Sequence, residues 1–313
     1  MFCSIYLIKR CRLFWWDNLM LSENQLRAWS LQANPVYAYE TYENIKRVLF
    51  AGYPLREKKF EVYLQGCYAD DTNVTSYENV DIVVQLNQTF NSDISSLNEA
   101  EKILYQENFE QSNYSYDEFW YDILKVLQRL TSDSLTMYGY KSVKFYNHQL
   151  GMNANLRVAL QHRKYQNFLG PNRQWYTEGI RFLAHSEDKW ETSYPKLHYV
   201  HGAVKNLPNN TDGWFIAAVR MFKNARNRLV ERGKIDTGLV PSYFLQCLLY
   251  NVPNAAFGSS CQATFYRVLD WLSRSNFRSF MIQSGMEPLF GYEAGQWRPE
   301  SARAFVDALS EFH

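Results

Sequence analysis

Apolar residues in the first half of the chain recur at both helical and strand-like spacing. Between residues 22 and 50 they return every three or four positions on both sides of Pro35, which predicts two helices that flank a sheet. Helical spacing also covers residues 99–109 and 117–131. Runs rich in β-branched and aromatic residues predict strands at 60–66, 80–86, 142–147 and 154–160. The first half is therefore predicted to mix strands and helices.

The second half of the chain has a different pattern. From about Lys164 the apolar spacing becomes helical, with an interruption at residues 201–213, which are rich in Pro, Asn and Gly. Helices are predicted at 213–232, 241–251, 258–275 and 299–311. The chain is therefore expected to be an α+β protein, with a mixed N-terminal part and a helical C-terminal part.

Composition limits the classes of ligand and partner. The 313 residues include 33 Lys and Arg against 32 Asp and Glu, a formal charge of +1, which argues against a strong nucleic-acid binder or a polybasic membrane anchor. An anionic ligand would have to be held by a local cluster. Aromatic residues make up 17% of the chain, which indicates either a heavily packed helical core or an aromatic-lined cleft.

Cysteine usage and hydropathy indicate a cytoplasmic protein without a membrane partner. The five cysteines are scattered and include no CxxC pair, which argues against a disulfide framework and against a zinc site. No run approaches the roughly 18 apolar residues of a membrane span. A helix-capping pattern at Ser22 makes Met20 a natural start, so residues 1–19 are interpreted as a candidate upstream extension without an assigned function.

Residues 64–86 carry the most informative arrangement of chemistry. The first predicted strand ends at Gly66, Cys67 follows it, and the second strand carries Asp81. Nucleotidyl transfer needs such an arrangement, because a glycine turn lets backbone N–H groups approach a triphosphate while carboxylates on the next strand hold two Mg²⁺ ions. Strand alternation puts positions 79 and 81 on one face, but position 79 is Asn79 and not a second acid.

This segment, LQGCYADDTNVTSYENVDIVV, resembles the pattern LQGSYxNxTNxxxxSDVDIVV of a known family. The family comprises the bacterial cyclic-oligonucleotide synthases related to cyclic GMP-AMP synthase, called CD-NTases, in the polymerase-β-like nucleotidyltransferase superfamily. Three further blocks carry the resemblance: ANLRVALQHRKY at 154–165, PKLHYVHGAVKN with WFIAAVRMFKNARNRL at 195–206 and 214–229, and VPSYFLQCLLYNVPN at 240–254.

The resemblance implies a fold and a domain organisation. The fold is α+β, with a polymerase-β-like nucleotidyltransferase sheet and flanking helices, a helical C-terminal lobe and a cleft between them. The nucleotidyltransferase core, with its N-terminal helices, would span residues 20–165, and the helical lobe would span residues 166–313. The family also implies nucleotide-binding residues: Gln65, Gly66, Cys67, Lys223 and Ser242. By position alone, Ser242 after Pro241 is also expected to cap a helix.

The departures from the family pattern concern the metal-binding acids. Asp81 matches the second acid, whereas Asn79 and Asn155 stand at the first and third. An amide carries no negative charge, so one carboxylate would have to balance two divalent ions, and Mg²⁺-dependent phosphoryl transfer is expected to be severely weakened. Arg157 shares a strand face with Asn155, and we interpret its guanidinium as a nucleotide-binding cation in place of Mg²⁺; an ordinary salt bridge is the alternative.

Two functions are compatible with this pattern. An intact site would join ATP or other nucleoside triphosphates into a cyclic di- or trinucleotide with Mg²⁺, as a signal to an effector in bacterial anti-phage defence. The degenerate site favours a nucleotide-binding pseudoenzyme, with a nucleoside triphosphate or cyclic nucleotide as ligand and a defence-system effector or regulator as partner. Replacement of the lost acids by Glu78, Asp70 or Asp71 is less favoured, and a purely structural partner of an active homologue is a third hypothesis.

Overall fold

The protein forms nine α-helices and seven β-strands within the residues that the computed structural model describes. These residues are 21–75, 79–110, 112–129, 136–138, 142–145, 152–184, 188–293 and 295–311. The helices are α1 (Glu23–Ser30), α2 (Val36–Ala51), α3 (Glu99–Asn108), α4 (Tyr116–Gln128), α5 (Pro195–Asn206), α6 (Trp214–Glu231), α7 (Ser242–Tyr250), α8 (Cys261–Arg274) and α9 (Pro299–Ser310). The strands are β1 (Phe60–Gln65), β2 (Val80–Asp93), β3 (Thr136–Tyr138), β4 (Val143–Phe145), β5 (Ala154–Phe168), β6 (Gln174–Ala184) and β7 (Lys189–Ser193).

Polar caps determine where several helices begin. The side chain of Ser22 caps α1, as its position in the sequence predicts. Asn98 and Ser115 form complete capping boxes with Glu101 and Glu118 at the start of α3 and α4. Each cap satisfies a backbone N–H group that the first helical turn leaves without an intrahelical partner. These helix starts are therefore encoded locally, by residues three positions apart.

A mixed sheet forms the centre of the first compact unit, Gln32–His201. β2 lies between β1 and β5, antiparallel to β1 and parallel to β5. The other edge of β5 pairs first with β4 and then with β6, while β3 pairs with β4 and β7 with β6. This order places Asp81 of β2 between Gln65 of β1 and Asn155 of β5.

The two faces of this sheet carry different side chains. On one face, apolar residues of β1, β2 and β5 form a core with α2 and α4, to which Ile45 and Phe119 contribute buried side chains. On the opposite face, Val83 and Phe182 belong to a smaller apolar cluster. Because side chains alternate along a strand, Asp81 shares the second face with Val83. The polar residues of interest are therefore separated from the main core by the thickness of the sheet.

The second compact unit is helical and comprises the described residues up to Leu31 and those from Gly202 onward. Its core contains buried side chains from α1 and from α6 to α9, among them Leu26, Phe222 and Phe265. The ring centroids of Phe222 and Phe265 are 4.5 Å apart. Many aromatic side chains of this unit are therefore core residues. None of the helices in the described part of the chain is long and apolar enough to cross a membrane.

The α+β class is confirmed, but the prediction of helices from Lys164 onward is wrong for residues 164–193. β5 continues to Phe168, and β6 and β7 follow it. Burial alternates in the second half of β6, where Ile180, Phe182 and Ala184 are buried. The strand pattern was weak because the apolar Leu183 lies between two of these positions and the first half of β6 shows no regular alternation. The four predicted helices correspond to α6, α7, α8 and α9, whereas α5 was not predicted and extends into the expected interruption at 201–213.

The first helix also differs from its prediction as a helix that flanks the sheet. Leu26 of α1 lies in the core of the helical unit, whereas Ile45 of α2 packs on the sheet. The two helices are separated around Pro35 as predicted, but they contribute to different cores. The candidate upstream extension, residues 1–19, lies outside the described residues.

A network of polar side chains connects α5 to the sheet. Lys196 donates hydrogen bonds to Glu61 Oε2 at 2.7 Å and to Glu178 Oε1 at 2.5 Å. The buried Gln85 donates to the same oxygen of Glu178 at 2.9 Å. Burial raises the pKa of Glu178, but the hydrogen bonds from Lys196 and Gln85 outweigh burial and hold the pKa below the usual value of 4.5. The carboxylate is therefore kept in its charged form.

We expect Glu178→Gln to lower the free energy of unfolding near neutral pH by about 1 kcal/mol, because the charge-assisted hydrogen bonds are weakened. The folded-state pKa lies below the unfolded value, so this contribution is present above pH 4.5 and is lost as the pH falls through the folded-state pKa. The difference between wild type and variant should therefore shrink in acid. Urea unfolding at a series of pH values measures it, with the exposed Glu40→Gln on α2 as control. A difference that does not change with pH would contradict the prediction.

Candidate functional site

The turn that follows β1 comes into contact with Asp81 of β2. Residues Gly66–Tyr68 form a 3₁₀ turn, and Gly66 has a φ of +71°. A Cβ atom on Gly66 would lie 3.1 Å from Asp81 Oδ2. Glycine is therefore favoured for two reasons, the left-handed backbone conformation and the close approach of the carboxylate.

Asp81 and Asn155 are neighbours across the parallel pair β2 and β5. Asn155 Nδ2 donates a hydrogen bond to Asp81 Oδ1 at 2.8 Å. Because a carboxylate oxygen accepts hydrogen bonds and does not donate them, the amide must present its nitrogen and not its oxygen to Asp81. Asn155 Oδ1 is consequently turned elsewhere, and it is buried without a hydrogen-bond partner among the described residues.

Arg157 lies two positions further along β5, opposite Val83 of β2. Its Nη1 atom donates a long hydrogen bond of 3.4 Å to Gln65 Oε1. The guanidinium carbon lies 4.5 Å from the centroid of the Phe182 ring, a cation–π contact. The aromatic face restricts the guanidinium on one side, and the bond to Gln65 is at the long end of the hydrogen-bond range.

Tyr63 belongs to the same face of the sheet and is partly buried. Burial is the main reason that the pKa of Tyr63 lies well above its usual value of 10.0. The charges of Glu178 and Glu61 raise the pKa further, and Arg157 opposes them only in part. The phenol therefore remains protonated and donates a hydrogen bond to Gln85 Oε1 at 2.8 Å.

The two acids of the loop after the turn already form polar interactions. Asp70 Oδ2 lies 3.2 Å from His198 Nε2. Asp71 Oδ1 accepts a hydrogen bond from Gln32 Nε2 at 3.1 Å. Glu78, the third nearby acid in the sequence, lies outside the described residues. The positions of Asp70 and Asp71 give no support to the idea that they replace the missing metal ligands.

The residues at this site do not fit a pair of magnesium ions. Asp81 supplies one carboxylate, and one of its oxygens is engaged by the Asn155 amide. Asn79, which directly precedes β2 and is partly exposed, also supplies an amide. The described ranges hold no group of three or more His, Cys, Asp or Glu that could bind a metal ion. Two Mg²⁺ ions in protein sites are usually balanced by several carboxylates, and this set offers one.

Lys223 and Ser242, the remaining predicted nucleotide contacts, lie in the helical unit. Lys223 is on α6 and is buried, with 1% of its surface exposed. The prediction of Ser242 as a helix cap is wrong, because Pro241 holds the N-cap position and Ser242 is the first residue of α7. Ser242 Oγ instead accepts a hydrogen bond from Arg226 Nη1 at 3.2 Å. The nucleotide-binding roles of Lys223 and Ser242 stay predictions.

The structure brings together five of the predicted residues: Gln65, Gly66, Asp81, Asn155 and Arg157. Cys67 follows directly in the 3₁₀ turn and is partly exposed. Sequence analysis did not find Phe182, because its segment was assigned to the helical part of the chain. The signal that was available is the alternation of apolar residues at 180, 182 and 184.

Comparison with known proteins identifies the family to which this fold belongs. Residues 201–313 match the model of the cGAS/DncV-like nucleotidyltransferase C-terminal helical domain. The chain is 40% identical over 292 residues to the cyclic UMP-AMP synthase of Rhodothermus marinus, which covers 92% of this chain and 96% of that protein. The chain belongs to the CD-NTase family.

Two further comparisons also cover most of the chain. The CD-NTase chain is 31% identical over 300 residues to the cyclic nucleotide synthase CdnE01 of Staphylococcus haemolyticus, which covers 94% of this chain and 99% of that protein. The solved structure of the Rhodothermus marinus CdnE c-UMP-AMP synthase with Apcpp and Upnpp superposes with a TM-score of 0.82, at 39% identity. That superposition covers 93% of this chain and 96% of the other.

We expect Gly66→Ala in this CD-NTase to be more destabilising than Gly233→Ala. Both glycines have a left-handed φ, +71° and +65°, so both substitutions cost about 1–2 kcal/mol in backbone strain. A Cβ at position 233 meets no atom within 4 Å, whereas a Cβ at position 66 must displace the Asp81 carboxylate. Hydrogen exchange at the backbone amides around each site measures the local loss. Equal losses at the two sites would show that the contact with Asp81 is unimportant.

Proposed function

We propose that this protein is a nucleotide-binding pseudoenzyme of the CD-NTase family, which binds nucleoside triphosphates without joining them. The observation that carries the proposal is the 2.8 Å hydrogen bond from Asn155 Nδ2 to Asp81 Oδ1. A neighbouring acid at this position would repel Asp81 and favour a cation between the two carboxylates. The amide instead donates a hydrogen bond to Asp81 directly, so no second carboxylate is present at this position to call for a cation.

The site contains groups that can bind phosphate without a metal ion. The Gly66 turn keeps its left-handed conformation, and backbone N–H groups of such turns bind anions without any contribution from a side chain. Cys67 in place of the family serine therefore does not abolish this contact. Arg157 supplies a permanent positive charge that is held against Phe182. Replacement of its 3.4 Å bond to Gln65 by a phosphate oxygen would form a stronger, charge-assisted bond.

Similarity to relatives suggests which nucleotides to test. The Rhodothermus marinus relative was solved with Apcpp and Upnpp. We therefore propose ATP and UTP as the first ligands, with cyclic dinucleotides as the second class. In the cytoplasm of a bacterium with cyclic-nucleotide defence signalling, such a protein would sense or sequester nucleotides and act on an effector or regulator. Lys223 and Ser242 are proposed to add contacts to the triphosphate.

We expect the purified protein to bind ATP or UTP by calorimetry and to form no cyclic product with Mg²⁺ or Mn²⁺. Labelled triphosphates and thin-layer separation measure product formation. A metal-dependent product that disappears in Asp81→Asn would establish the alternative, an active Mg²⁺-dependent cyclic-nucleotide synthase. Absence of binding to all of these nucleotides would contradict the proposed function.

Restoration of the two acids tests the cause of inactivity in the same assay. In Asn79→Asp/Asn155→Asp the bond between residues 155 and 81 becomes a repulsion between carboxylates, which only a cation relieves. Mg²⁺ should therefore raise the melting temperature of this double variant and leave that of the wild type unchanged. Asn153→Asp adds one negative charge just before β5, outside the two substituted positions, and serves as a control. An equal effect of Mg²⁺ on the control would show that the two positions are not special.

We expect Arg157→Ala to weaken triphosphate affinity by about tenfold, which corresponds to the loss of one charge-assisted contact. Arg163→Ala is the matched control, because Arg163 is on the same strand and its guanidinium also lies over an aromatic ring, 3.7 Å from the centroid of Phe90. Calorimetric titration of wild type and both variants with the same nucleotide measures the difference. Equal affinity of wild type and Arg157→Ala would show that Arg157 does not contribute to triphosphate binding.

A further inference from the structure

The loop that follows the glycine turn is held in an unusual backbone conformation. Gly66 at its start has a φ of +71°, and Asp71, which has a side chain, has a φ of +55°. A left-handed conformation is unfavourable for a residue other than glycine, so surrounding contacts must select it. Thr72 and Asn73, the next two residues, are completely buried. The loop is therefore part of the folded structure and depends on its neighbours.

Two backbone hydrogen bonds fold this loop onto the turn. Asp70 N–H donates to the carbonyl oxygen of Gly66 at 3.1 Å, and Thr72 N–H donates to that of Cys67 at 2.8 Å. The peptide groups of the turn are therefore linked to the positions of residues 70 and 72. A displacement of Asp70 would move the Gly66 peptide, whose α-carbon faces the Asp81 carboxylate.

Asp70 is in turn held by a helix. Its Oδ2 atom lies 3.2 Å from Nε2 of His198 on α5, and the two side chains are only 8% and 9% exposed. A carboxylate so deeply buried requires a hydrogen-bonding partner, since removal of that partner leaves an uncompensated charge. The imidazole N–H is such a partner. A continuous chain of polar contacts thus runs from His198 through Asp70 to the Gly66 turn.

We propose that His198 is a positioning residue for the nucleotide site, which sets the conformation of the Gly66 turn through Asp70. The proposal rests on the proposed function, because the turn is taken to bind the triphosphate. His198 does not touch the nucleotide in this scheme. It orients the backbone N–H groups that contact the nucleotide. A loop that is already ordered in this way loses less conformational entropy when the nucleotide binds.

A second residue on the same helix provides a control for the alternative explanation, in which α5 only stabilises the fold. Lys196 is on α5, two residues before His198, and its hydrogen bonds go to Glu61 and Glu178 of the sheet and not to the loop. Lys196→Met therefore weakens the attachment of the helix without breaking the link to Asp70. An effect that is specific to His198 cannot be attributed to loosening of α5.

Cys67 provides a readout that needs no nucleotide. It lies within the turn and is partly exposed, whereas Cys247 and Cys261 are buried. Iodoacetamide alkylation of Cys67, followed by mass spectrometry of its peptide, reports how well the turn is ordered. We expect His198→Leu to accelerate the alkylation several-fold. His198→Gln, which retains a side-chain N–H donor, should restore a rate close to that of wild type.

Comparison of the variants decides the proposal. Lys196→Met should leave the alkylation rate of Cys67 close to wild type, even if it lowers the melting temperature. If His198→Leu is not recovered folded, Asp70→Asn, which removes the charge of the acceptor, should accelerate the alkylation of Cys67 relative to wild type. Equal rates in wild type and His198→Leu, or equal acceleration by Lys196→Met, would overturn the positioning role.

Nucleotide affinity gives the second, dependent readout. If the wild type binds ATP or UTP, His198→Leu should bind it several-fold more weakly, and His198→Gln should recover most of the affinity. Unchanged affinity in His198→Leu would overturn the proposal. If the wild type binds no nucleotide, the proposed function fails, while the alkylation rates still establish or refute the link between His198 and the turn.

Discussion

The parallel pairing of β2 with β5 is the constraint on which the rest of the site depends. Its register sets Asp81 beside Asn155 and Val83 beside Arg157, and these partners come from distant parts of the sequence. Strand alternation then separates the two sides of the sheet, so that one side builds a core with α2 and α4 while the other presents polar groups. A shift of the register by one residue would exchange these faces and dismantle both core and site.

Within this register, a change in charge alters the chemistry more than a change in shape. Asn155 has nearly the size of an aspartate, and it lies directly beside Asp81 in the parallel pair of β2 and β5. It nevertheless converts a place where a cation would relieve repulsion into a place where an amide donor and a carboxylate satisfy each other. The chain is 40% identical in sequence to a cyclic UMP-AMP synthase. Its site nevertheless offers one carboxylate at positions 81 and 155, whereas two-metal phosphoryl transfer uses several.

The polar face of the sheet is organised by α5 at two separate places. Lys196 joins Glu61 and Glu178 of the sheet, and His198 joins Asp70 of the loop. The first contact holds the helix on paired strands. The second reaches the loop in which Asp71 has a φ of +55°. Two side chains of one helical turn thus contact a regular and an irregular part of the unit.

The sequence alone determined the local features of this protein. Ser22, Asn98 and Ser115 cap helices through bonds to residues three positions away, and the left-handed turn at Gly66 reflects the conformational freedom of glycine. The family pattern likewise identified the amide at Asn155, and alternation put it on the face of Arg157. These properties depend on neighbours in the sequence, or on residue types at fixed spacing, and so could be predicted.

Only the tertiary structure decided the features that join distant segments. Strands β6 and β7 were missed because apolar residues do not alternate regularly along them, and the hydrogen bonds that stabilise them come from pairing of β6 with β5 and of β7 with β6. Phe182 could be placed against Arg157 only once that pairing was known. The contact between Asp70 and His198 joins a loop to a helix far along the chain. No local sequence pattern predicts this contact, because the partner of a buried carboxylate depends on which side chains the tertiary structure places next to it.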